Sequence, residues 1–83
     1  MSEHQNTPTA VVYDIFTERS GDLIAWYTRL SDNATEPAER EQWWSKALQV
    51  RDTKRAIPAH DREQILAQLT RWTAELDVLK AAE

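Results

Sequence analysis

The sequence predicts an all-α fold, a small antiparallel three-helix bundle. Three observations predict it. Apolar residues recur at intervals of three and four along three stretches, the spacing of one helical face. One glycine and three prolines among 83 residues leave too little turn chemistry for an all-β chain. The clearest breaks, SDNATEP and IPAHD, fall between the stretches.

Residues 1–7 are polar and are expected to form a flexible tail, with residues 8–83 a single helical domain. Thr7-Pro8 reads as an N-cap followed by proline at the first helical position. In the first helix, expected over 8–31, Val12, Phe16, Leu23, Tyr27 and Leu30 share one face. Ile15, Ile24 and Trp26 flank that line, while Asp14, Glu18, Gly21, Ala25 and Arg29 lie opposite. Ser20-Gly21-Asp22 is a weak point, because glycine costs about 1 kcal/mol in a helix interior. The apolar phase continues unchanged across it, which favours one unbroken helix.

Thr35, Glu36 and Pro37 read as the start of a second helix over 36–56. It is expected to stop before Pro58, since proline disfavours helical geometry in the preceding residue. His60 or Asp61 opens the third helix, over 60–81. There Ile65, Leu69, Trp72, Leu76 and Leu79 repeat at four, three, four, three. Short connections make consecutive helices antiparallel. The alternative is a helical hairpin that completes its core by dimerisation. A 34-residue helical repeat lacks its glycine and small-residue positions.

Composition bounds the function. The net charge of −4 is not the default for a nucleic-acid binder. No apolar run reaches the length of a membrane span. MSEHQNTPT has neither the basic nor the apolar region of a secretory signal. With no cysteine, disulfides and thiolate metal sites are excluded. The expectation is a cytoplasmic protein.

Catalytic constellations are missing. His4 lies in the tail and His60 at a helix start, where an imidazole caps or meets water. His60 and Glu63 share a helical face but lack the further ligands zinc needs. A single glycine cannot build a phosphate-binding loop. No catalytic residue, cofactor or metal is therefore expected, and the chain reads as no enzyme.

The remaining signal is QWWSKALQVRDTKR, residues 42–55, where paired tryptophans lead into cations. Adjacent helical residues diverge by about 100°, so Trp43 and Trp44 cannot both point inward. The ring left outside is a candidate interface residue, since tryptophan and arginine are enriched at binding hot spots. Arg40, four residues before Trp44, is positioned to lie over that ring. The expected function is protein–protein interaction or regulation through an aromatic helical face, with self-association as a homodimer. This resembles small bacterial or phage regulators only by analogy. Trp26, Arg40, Trp43, Trp44 and Arg51 are the expected partner contacts. The alternative is a DNA-binding accessory regulator that contacts phosphates through Arg51, Lys54, Arg55 and Arg62. Asp14, Glu18 and Asp22 form an acidic ridge, either a solvated face or a surface for a basic partner.

Overall fold

The computed structural model describes residues 6–82. Among the described residues there are three helices: α1 (Thr9–Asn33), α2 (Pro37–Ala56) and α3 (Arg62–Ala81). Most of the expected tail, His4 included, lies outside the described residues.

Helix α1 is continuous through Ser20-Gly21-Asp22. The energies explain why. Val12, Phe16 and Leu23 are completely buried, and burying each such side chain is worth about 1.5–3 kcal/mol. A break would misalign the two halves of that face to save about 1 kcal/mol at one glycine. Gly21 itself faces outward, and a Cβ built on it meets nothing within 4 Å. Gly21→Ala is therefore expected to stabilise the fold by about 1 kcal/mol, chiefly by restricting the unfolded chain. A higher urea midpoint with an unchanged slope is the expected result; a lower midpoint would contradict it.

The helix starts differ from expectation in two places. Pro8, not Thr7, occupies the cap position of α1, and its carbonyl accepts from the amides of Val11 and Val12. Thr7 instead offers its carbonyl to α3. At α2 the cap position is Glu36 rather than Thr35, with Pro37 as the first helical residue. In both cases the extended backbone beside proline sets the entry, and no side chain caps it. Ile57 is likewise extended before Pro58 and ends α2 as expected. Asp61 caps α3, accepting from the Gln64 amide at 3.2 Å. Hydrogen bonds from Gln64 hold its carboxyl below the usual range.

Side-chain contacts fix the directions. At the start of α3, Arg62 donates to the Thr7 carbonyl at 2.6 Å and to Thr9 Oγ1 at 3.3 Å. Further along both helices, the Tyr27 hydroxyl donates to Glu75 Oε1. Helices α1 and α3 are thus parallel. Helix α2 runs back between their ends, since Lys54 lies over the Tyr13 ring, Trp43 stacks on Tyr27 and Ser31 meets Arg40.

Consecutive helices are antiparallel, but α2 and α3 are held apart. No Cα of α2 comes within 8 Å of a Cα of α3, so both dock on α1. Large rings couple each of them to α1. Phe16 stacks on Trp72 at 4.9 Å and Tyr27 on Trp43 at 5.9 Å. The body is correspondingly flat, 45 × 26 × 14 Å. Helix α2 contributes only Ala47 and Val50 as buried side chains, whereas α3 contributes Ile65, Leu69, Trp72 and Leu76.

Candidate partner-binding surfaces

The five expected partner contacts fall into two groups. Trp26 and Trp43 line one cleft, where the ends of the three helices meet. Leu30 and Leu79 complete its apolar wall, with Arg29 and Asn33 beside them, around a volume of about 360 Å³. Both rings are half-buried. Trp43 is tied to the core by its stack on Tyr27 and donates weakly to Glu39 Oε1 at 3.4 Å. Trp26 carries the Arg29 guanidinium 4.0 Å above its ring. The cation over an indole is therefore Arg29, and Arg40 makes no such contact with Trp44 among the described residues.

Arg40, Trp44 and Arg51 form the second group. Trp44 is the ring left outside, 48% exposed. It follows Arg40 by four residues and precedes Arg51 by seven, so the three lie within about 40° on α2. Arg55, four residues after Arg51, extends the stripe, and all three arginines are exposed. Leu48 borders it, half-buried. Arg51 rests against its neighbour Asp52 at 3.1 Å, a pair with both side chains largely in water. Such a pair contributes little and yields readily to a better partner.

The four cations of the DNA reading do not form one track. Lys54 is half-buried and lies 5.2 Å from the Tyr13 ring. It points about 100° away from Arg55. Arg62 is half-buried at the start of α3, holding the entry to α1. Only Arg51 and Arg55 present themselves together.

On the back of α1, Asp14, Glu18, Asp22 and Asp32 are exposed, with Gly21 and Ala25 among them. Helical phase puts Asp14, Glu18 and Asp32 on the outer side of α1, away from the core, while Asp22 and Ala25 line a cleft with Trp26, Arg29 and Lys80 of α3. Tyr13, Ser20 and Ser31 mark the flank of α1 that meets α2; Asp14 and Asp32 lie about 100° further round and Glu18 about 140°. On α2, Lys46, Gln49 and Thr53 face α3 across a narrow slot, which leaves the arginine stripe on the other side. The stripe and the Asp14, Glu18 and Asp32 part of the ridge therefore share one outer face of the α1–α2 layer.

Other polar features serve the fold. Burial and the Glu75 carboxylate push the Tyr27 phenol well above its usual range. His60 is exposed. Among the described residues no three potential ligands gather to hold a metal ion. Two buried serines went unforeseen. Ser20 donates to the Thr17 carbonyl at 2.7 Å and Ser31 to the Arg40 carbonyl at 2.8 Å. Their positions on the apolar face were a signal, since a polar residue in that phase needs a hydrogen-bond partner.

No family model, curated protein or solved structure matches the chain.

Proposed function

We propose that this chain is a small non-catalytic interaction protein of the cytoplasm that binds another protein through the outer stripe of α2. One observation carries the reading: Trp44 stands 48% exposed among arginines on the most hydrophilic helix. A half-exposed indole forgoes apolar burial that a core position would gain, about 25 cal/mol per Å². Flanking guanidiniums add directional donors, so the stripe has the chemistry of a hot spot. The compartment is read from the acidic, cysteine-free composition; among the described residues no helix is long and apolar enough to cross a membrane.

Affinity capture from the native host, with solution mass measured on the same sample, tests the proposal. Trp44→Ala is expected to weaken partner retention at least tenfold, the effect of losing a modest hot spot. Helicity and stability should remain near wild type. Equal retention and equal mass would refute the assignment. Retention of mixed-sequence DNA, lost steeply with salt, would move the assignment to nucleic acid.

A further inference from the structure

We infer that the α2 stripe is occupied by a second copy of this chain, whose acidic α1 ridge covers it. The inference rests on reading the stripe as a binding face, and it names the partner.

Charge complementarity carries it. The stripe presents Arg40, Arg51 and Arg55 around Trp44, and the back of α1 presents Asp14, Glu18 and Asp32 around Ala25, with Arg29 in the same phase turned onto the Trp26 ring. A two-fold axis parallel to the helices would lay each stripe over the other copy's ridge, twice over, in a closed isologous contact. That operation preserves height along the helices. The heights are fixed within one copy, because Lys54 meets Tyr13, Trp43 meets Tyr27 and Arg40 meets Ser31. Arg55 then faces Asp14, Arg51 faces Glu18, Trp44 faces Ala25, and Arg40 reaches Asp32.

The spacings agree with this register. Along α2 the steps from Arg55 to Arg51 to Trp44 are four and seven residues. Along α1 the steps from Asp14 to Glu18 to Ala25 are also four and seven. Since α1 and α2 are antiparallel, both series advance in the same direction, about 6 Å and then 10.5 Å. Small side chains lie where the indole arrives, and space is open above Gly21. The ridge gains as well, because like charges four residues apart oppose one another within a lone helix.

Sedimentation equilibrium at low and high salt tests the inference. Wild type is expected to be dimeric at low salt and to dissociate as salt screens the pairs. Arg51→Glu and Glu18→Arg each place like charges together twice per dimer. Each is expected to weaken self-association about a hundredfold, tenfold per reversed pair. An equimolar mixture of the two variants should recover a heterodimer, because both crossed pairs are again opposite in sign. A mere loss of structure could not produce that recovery. A monomeric wild type at low salt would overturn the inference, as would a dimer indifferent to both reversals. If the wild type is monomeric but Trp44→Ala still loses a host protein, the stripe remains a binding face for another partner. If Trp44→Ala changes neither, both readings fall.

Discussion

Trp72→Ala is expected to cost about 3–5 kcal/mol, the range for deleting a large aromatic from a packed core. Trp72 is 3% exposed and stacks on Phe16 with the planes 10° apart. Its ring stands in the space between α2 and α3, where no backbone contact can compensate. The ring packs α3 onto Phe16 of α1 and lines the slot toward α2, so deletion leaves a cavity that closes only if α3 shifts on α1. A domain of this size has about 5–15 kcal/mol in total, so the variant sits near the threshold of folding. Urea unfolding followed by circular dichroism reads the loss. Trp44→Ala serves as the contrast, since an exposed substitution usually stays within about 0.5 kcal/mol. A loss below about 1 kcal/mol at Trp72 would show that the ring does not anchor α3 on α1.

The second large effect is alkaline. The Tyr27 phenol is raised first by burial and then by its hydrogen bond to the Glu75 carboxylate. Below about pH 10 the phenol is protonated in folded and unfolded chains alike, and its contribution is complete. Above that value the unfolded chain releases the proton first. The native state then binds more protons, and stability falls as pH rises, by at most about 1.4 kcal/mol per pH unit. Between pH 10 and 12 the loss is about 2 kcal/mol. Tyr27→Phe should remove that slope. At neutral pH it should cost about 1 kcal/mol, because Glu75 loses its donor but is only half-buried and can turn toward water. Urea midpoints of both proteins from pH 7 to pH 12 give the comparison. Identical slopes would mean that the phenol ionises as freely in the native state as in the unfolded chain.

Much of this fold is legible in the sequence, because helical periodicity is a local signal. Ile65, Leu69, Trp72 and Leu76 are buried as their spacing predicts, and the phase across Gly21 correctly implies one helix. The division between Trp43 and Trp44 was also foreseeable as a division. Which ring lay outside was not, since it depends on Tyr27 arriving from α1 to stack on Trp43. The caps were misplaced by one residue at Thr7 and Thr35, where proline sets the backbone and no hydroxyl is needed. Tertiary facts left no local trace. That α2 and α3 both dock on α1 and not on each other depends on packing between helices distant in sequence. That ridge and stripe share a face follows from the side on which α3 docks. The five expected contacts thus belong to two surfaces.

The central position of α1 also makes the two joints of the chain unequal. The α1–α2 joint is clamped, with the buried Ser31 hydroxyl bonded to the Arg40 carbonyl. At the other joint, Pro58, Ala59 and His60 are exposed, and α3 takes its place from α1 rather than from the helix before it. The segment between Ile57 and Asp61 therefore works as a tether and not as a template. Doubling its length would cost only about 0.6 kcal/mol of closure entropy. The chain thus carries a natural splice point, where a tag or a foreign domain can enter while the helices keep their places.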